Sequence, residues 1–469
     1  MKKWFARVAS GIVVGVIAAA SVHAAQLTFT PRISLTEAYN DNIDLDRTNK
    51  MSDWITTVSP GATLEWLGQV AGLRLTYDPA YSFYADHDEY NSWSHRAGGS
   101  VWYDYSRATR LSISNYFTYT KDPLSEDVNQ GASPGTTTVG GGGGGAFSGV
   151  TPGPAGPVLI QGNDRARNRD RYYSDYASGR MDHQFGPENR VYAQMAYLIS
   201  KYDDPTESDG QSFTPSAGLS YWFSTWNGVD VDASYTRGLY EGNDESNFDN
   251  YDGRVRFNHR ISQVTGVYGE YHQTYRKWDD PSDTYTEGGQ LQQDYLVYAP
   301  SVGVFHEFDP TLKASLGVGY FYQQVKNDKD QKGPFLQSDI NKFWDFQRWS
   351  VRLRSASGID SQDFSGDQQG FERYVMAEAV GRYNFTRDFF GDLALRTRYS
   401  DFLNSEDDEK DFRYTLDVGL GYTLTRWAAV RVGYTFNKLD AINSTDDYVQ
   451  NVGYVTLTLS PDQPWRIFD

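Results

Sequence analysis

Seven arginines set the chemical question. Arg254, Arg256 and Arg260 recur at even spacing in one stretch, Arg352 and Arg354 in a second, Arg396 and Arg398 in a third. Residues two apart on an extended chain share a face, so each group is a row of guanidinium groups pointing one way. These groups stay charged and pair bidentately with planar anions. One reading is a path for an anionic glycan or other acidic solute. The other is a ladder of salt bridges to acids of the same parity, Asp230, Asp232, Glu270, Asp392 and Asp417, that keeps a hydrated wall rigid. The ladder is favoured, because a charged wall needs partners whatever passes along it.

Catalytic chemistry has little to stand on. The chain has no cysteine, which removes thiol nucleophiles, disulfides, cysteine-ligated metals and a lipid-anchoring cysteine. His272 lies two residues after Glu270 on the arginine-bearing parity, a dyad capable of general-base work. Without a nucleophile it reads as a hydrogen-bonded structural pair, and the chain is not expected to be an enzyme. The run Asn40-Asp41-Asn42-Ile43-Asp44-Leu45-Asp46 clusters oxygen ligands but lacks the glycine and bidentate glutamate of a calcium loop. No cofactor or metal is expected. A net charge of −18 argues against nucleic acid, which is met by a basic field.

The elements carrying these rows repeat one pattern. Leu73, Leu75, Tyr77, Pro79, Tyr81 and Phe83 alternate with Arg74, Thr76, Asp78, Ala80 and Ser82. The stretches 212–224 and 413–424 alternate in the same way, apolar on one face and small or polar on the other. Alternation over ten or more residues outlasts an ordinary strand of about five or six and fits the ~9–11 residues that cross a bilayer at a tilt. Short links at 67–69, 106–108, 186–189, 225–228, 262–265, 308–310, 386–388 and 425–426 alternate with long acidic, Asn- and Gly-rich stretches. Thirteen strands read clearly before residue 326 and five after 372. The segment 335–358 must supply an even number of crossings, and a turn at Asp345-Phe346-Gln347 supplies two. The expected fold is all-β: a transmembrane antiparallel barrel of about 20 strands, 18 being possible, with short periplasmic turns and longer extracellular loops.

Composition agrees. Aromatics make up 15% of the chain against 39% hydrophobic residues in total, too many rings for so little aliphatic bulk unless they serve elsewhere. Pairs such as Tyr81 with Phe83, Tyr103 with Tyr105 and Tyr383 with Phe385 close the outward rows, as girdles at membrane interfaces do. A soluble β-sandwich would not repeat strands this long with one constant parity.

Two segments stand apart. Lys2, Lys3 and Arg7 precede an apolar run ending in Val22-His23-Ala24, which reads as a signal peptide over 1–24, leaving the barrel as 25–469. The stretch 121–170 carries six consecutive glycines, Gly140 to Gly145, then Pro152, Pro154 and Pro157. It cannot bury a core and reads as a flexible external loop, with a constriction inside the barrel as the alternative.

The opening strand Ile33 to Ile43, running into Tyr-x-Asp-Asn-Ile, the turn Tyr-x-Leu-Thr-Arg-Trp at 422–427 and the closing Tyr454 to Leu459 resemble the porin-like outer-membrane β-barrel proteins of bacterial exopolysaccharide and exosortase-associated gene clusters. The resemblance implies a channel serving export or secretion of an extracellular polysaccharide. A general diffusion porin with an Arg-rich lumen is the alternative, and a surface scaffold barrel without transport a further one. It implies as partners outer-membrane lipid and lipopolysaccharide, the barrel-assembly machinery and a periplasmic polysaccharide-export protein. Barrel phospholipases share a lipid-facing His-x-Ser pair, but His95, His183, His259 and His306 are followed two positions on by Ala97, Phe185, Ile261 and Phe308. The chain also departs from barrels that end on an aromatic residue: Pro461 to Asp469 run past the last expected strand.

Overall fold

The computed structural model describes residues 26–121, 171–203, 209–241, 246–282, 292–309, 312–362, 370–403, 409–442 and 447–468. The signal segment and nearly all of the 121–170 stretch lie outside these residues. The strands are β1 (Gln26–Asn40), β2 (Asp53–Leu67), β3 (Ala71–Tyr84), β4 (Ser92–Ser106), β5 (Thr109–Thr120), β6 (Tyr172–Gln184), β7 (Arg190–Tyr202), β8 (Asp209–Trp222), β9 (Asn227–Glu241), β10 (Phe248–Arg260) and β11 (Thr265–Trp278). They continue as β12 (Tyr295–Asp309), β13 (Leu312–Val325), β14 (Gln331–Asp345), β15 (Trp349–Gln362), β16 (Gly370–Asn384), β17 (Phe389–Phe402), β18 (Lys410–Thr425), β19 (Ala428–Ile442), β20 (Tyr448–Leu459) and β21 (Trp465–Phe468). Each long strand pairs antiparallel with the next, and β1 pairs with both β2 and β20. The result is a closed barrel of 20 strands.

Closure explains the pattern of side chains. A wall surrounded by hydrocarbon must satisfy every backbone group within itself and offer apolar side chains outward. Outward positions at mid-strand are aliphatic and open: Ile113, Val302, Leu316 and Val318 are 54, 62, 50 and 61% exposed. Rings frame them. At the periplasmic end Tyr105, Phe223, Phe308, Phe346 and Trp427 face outward, and at the other end Tyr39, Trp54, Phe83 and Trp93 do. Neighbouring rings touch, Tyr81 with Phe83 at 4.5 Å and Tyr383 with Phe385 at 4.9 Å between centroids.

The Tyr-x-Asp-Asn-Ile motif closes the ring. Along β1 and β20, Thr36 and Thr456 hydroxyls meet at 2.9 Å. Just above, Asp41 accepts from the Asn451 backbone N–H and side-chain amide, each at 2.6 Å. Asn42, fully buried, donates to the carbonyls of Asp46 and Val449, and Gln450 donates back to the Asn42 carbonyl. Leu45, at φ 56°, packs with Leu439, Ala441 and Tyr448. Asp41 and the Asn42 carbonyl thus clasp the first strand to the last, while Asp46 accepts from the backbone N–H groups of Thr48 and Asn49 and Asp44 from the Tyr90 hydroxyl.

One strand was not expected. β1 begins at Gln26 but β20 ends opposite Ile33, leaving the lower edge of β1 bare. After a step at 460–464 the tail returns as β21, pairing with Leu27 to Phe29 and bringing Trp465 to 6.0 Å from Phe29. The run past β20 covers that edge.

The carboxylate of Asp53, the first residue of β2, accepts from the backbone N–H groups of Ala85, Asp86 and His87 in the β3–β4 loop, and Nδ1 of His87 lies 2.9 Å from it. Its hydrogen bond holds the His87 imidazole above the usual histidine range. A raised folded value stabilises below the unfolded value of about 6.5 and ceases to do so as pH rises through the folded one. His87→Gln should therefore be less stable than the parent in acid and indistinguishable from it in alkali, as read by thermal unfolding across pH. A difference that does not change with pH would contradict the pairing.

A closed wall also resists detergent. The protein should migrate faster on denaturing gels unless boiled, and carbonate or high salt should not release it from membranes. Release by either alone would contradict a spanning barrel.

Candidate functional site

The seven arginines lie on strands that place most of them on the inner wall. On β10, Arg254 binds Asp232 and approaches Glu270 at 3.6 Å. Arg256, 2% exposed, donates through Nε to Glu270 at 2.6 Å. Glu270 also accepts from the Gln337 amide, whose oxygen accepts from Ser301. Arg260 ends β10 at the periplasmic rim, 2.9 Å from Glu188 of the β6–β7 turn. On β15 to β17, Glu378 stands in register between Arg354 and Arg396 and accepts from Arg396 at 3.0 Å. Arg398 pairs with Glu372. Arg352 stands in register with Phe343 and Val380.

Of the five expected acids, Asp232 and Glu270 pair with the arginines of β10, and the other three have different partners. Asp232 serves Arg254, Asp230 accepts from Ser220 and Asn258, and Asp392 with Asp417 hold Arg431 at 2.5 Å each. Arg431 was missed, although parity on β19 would have found it. The His272–Glu270 dyad does not form: His272 Nε2 lies 2.6 Å from Asp252, which also accepts from Thr274.

Sequence reasoning also missed the rings. Guanidinium groups lie over inward rings all round the wall: Arg180 over Tyr192 and Arg256 over Tyr268 at 4.0 Å, Arg260 over Trp222 at 3.8 Å, Arg382 over Phe390 at 3.6 Å and Arg398 over Tyr374 at 4.6 Å. Glycines make room for them. A Cβ on Gly303 or Gly317 would run into the Tyr268 ring, so those strands bear glycine where the ring lies flat. Their signal was available as inward glycine opposite inward aromatic, but only once register is known.

Chemically, the inner wall is a track of charge-neutralised guanidinium groups, carboxylates and flat rings. An Arg–acid pair binds no free anion strongly, because the acid already occupies the fork. Its remaining N–H groups and lone pairs can exchange hydrogen bonds with a passing polar solute, and ring faces accept apolar ones.

A closed antiparallel barrel with an apolar girdled exterior and a charged interior defines a porin-like channel of the bacterial outer membrane, bathed in its lipid and lipopolysaccharide. The chain belongs to the family described as "putative beta-barrel porin 2", which matches residues 18–147 and 231–460. No curated protein matches it. Among solved structures it is similar to the siderophore receptor PirA of Pseudomonas aeruginosa (12% identity, 92% of this chain and 80% of that one, TM-score 0.45). It is similar also to the ferric-catecholate import receptor Fiu of E. coli K12 (11%, 92% and 81%, 0.47) and to the outer membrane protein OpdK of P. aeruginosa (11%, 92% and 99%, 0.37).

Proposed function

We propose that the barrel carries an extracellular polysaccharide across the outer membrane. The observation that carries this reading is the charge balance of the inner wall: six of the seven arginines that suggested an anion path stand beside carboxylates, and Arg256, Arg260 and Arg398 lie over rings. A sugar chain presents hydroxyls in the plane of its rings and C–H groups on their faces, so paired polar groups beside flat aromatics suit it. An anion-selective diffusion pore would leave guanidinium groups unpaired toward the lumen. The lumen-lining residues of the path are Arg254, Arg352, Arg354, Arg396 and Arg398, with Arg256 buried beneath Tyr268 as their support and Arg260 at the periplasmic mouth, where a periplasmic polysaccharide-export protein would dock.

Deleting the gene should strip extracellular polysaccharide from the cells and leave uptake of small anions unchanged. Undiminished polysaccharide with impaired anion uptake would favour a diffusion pore and overturn the proposal.

A further inference from the structure

Among the described residues, the longest break in strand pairing lies between β14 and β15. Pairing between β14 and β15 runs from Asp345 and Ser350 only as far as Ser338 and Ser357. β14 continues to Gln331 on β13 alone, and β15 to Gln362 on β16 alone. Among the described residues, the backbones of 331–337 and 358–362 are therefore each paired with a strand on one side. The opening starts at the middle of β14 and widens outward. Leu336 stands there, 44% exposed and in register with Val318 of the apolar band, while Pro334 is level with Tyr320. That is the depth of the outer leaflet's chains.

Behind this seam the inner wall changes character. Tyr295, Val297, Ala299, Phe321 and Val325 make a buried apolar cluster, whereas the inner wall around Arg254 and Arg256 is charged. Its cover is Ile359 and Phe371, from the part of the β15–β16 hairpin that borders the seam. Phe371 lies 6.0 Å from Phe321 and 6.2 Å from Tyr295, and Phe335 flanks the cluster from β14. Arg373 reaches across from β16 to the Pro334 carbonyl at 3.2 Å.

We propose that the seam is a lateral binding site for a single-chain amphiphile of the outer leaflet. The alkyl chain passes between Leu336 and Ile359 and displaces Ile359 and Phe371 from the apolar cluster, while the polar head stays at the strand edges beside Arg373. Both halves of such a molecule are needed. Edge N–H and C=O groups facing hydrocarbon are costly unless a polar group meets them, and the cluster rewards only apolar surface. An added peptide strand would satisfy the edges but leave the cluster behind the wall unused. The site concerns the wall and not the lumen, so it stands apart from the polysaccharide reading.

The absence of cysteine allows single labelling. Full-length protein carrying Ile359→Cys, and separately Phe335→Cys in case the buried Ile359 position disturbs folding, is tagged with a thiol-reactive fluorophore and placed in phosphatidylcholine vesicles. Stearic acid bearing a mid-chain nitroxide is the probe, with lipid-facing Val318→Cys and lumen-facing Ser114→Cys as references. Quenching at 359 or 335 should reach at least half that at 318, exceed that at 114 several-fold, and fall when unlabelled stearic acid competes. Quenching no greater than at 114 would overturn the site. So would quenching that unlabelled stearic acid leaves unchanged, which would report bulk lipid, or competition by an unstructured peptide and not by the fatty acid.

Discussion

Ile113→Arg should cripple insertion while Ser114→Arg is tolerated. The two residues are adjacent at the middle of β5, but Ile113 faces outward at 54% exposure and Ser114 faces the lumen, its hydroxyl 2.8 Å from that of Ser178. An arginine at the bilayer midplane costs about 2–4 kcal/mol on the lipid face of a barrel. The same group one residue along meets water and polar neighbours. Folding into vesicles, followed by gel mobility without boiling, should show the first variant largely unfolded and the second near the parent. Equal tolerance at both would reverse the assigned faces.

Glu270→Ala should be the most damaging change on the inner wall. The Glu270 side chain, 4% exposed, takes the Nε hydrogen bond of a nearly buried Arg256, lies near Arg254 and accepts from Gln337. Removing one member of a buried ion pair leaves its counter-charge in a poor environment and costs about 3–5 kcal/mol. Glu270→Gln retains hydrogen bonding and should lose less. Urea unfolding in lipid vesicles reads the ranking; equal, small losses in both would mean that the network does not hold the wall.

Much of this was legible from sequence because lipid acts as a strict selector. Outward residues at mid-strand must be apolar and the alternate ones need not be, so parity located the strands, the inward arginines and the even count. It failed where the selector is absent. β8 begins at Asp209, three residues before its alternation, because Gln211 lies at the headgroup level, bonded to the Tyr197 hydroxyl. β14 starts at Gln331, four residues ahead of the expected 335. Among the described residues its outer half has a strand partner on one side only, so its composition is less constrained.

Partners were harder to read than positions. His272 and Glu270 sit two apart on one strand, which sets their side chains side by side but roughly 7 Å apart, whereas cross-strand neighbours come within about 4.5–5.5 Å. Register therefore decides: it sets Glu270 opposite Arg256 and His272 opposite Arg254, and His272 turns along the diagonal to Asp252 of β10. The same holds for the rings stacked on arginine: Tyr268 and Arg256 are far apart in pattern but diagonal neighbours across β10 and β11.

Current through the purified full-length protein in a planar bilayer, with and without extracellular polysaccharide from the same cells, probes the inner wall itself. A charge-balanced track for sugar should conduct with little preference between cations and anions and should show reversible blockade when the polysaccharide is added. A stable, strongly anion-selective current that the polysaccharide leaves untouched would mean that the arginines face the lumen unpaired and that the barrel is a diffusion pore.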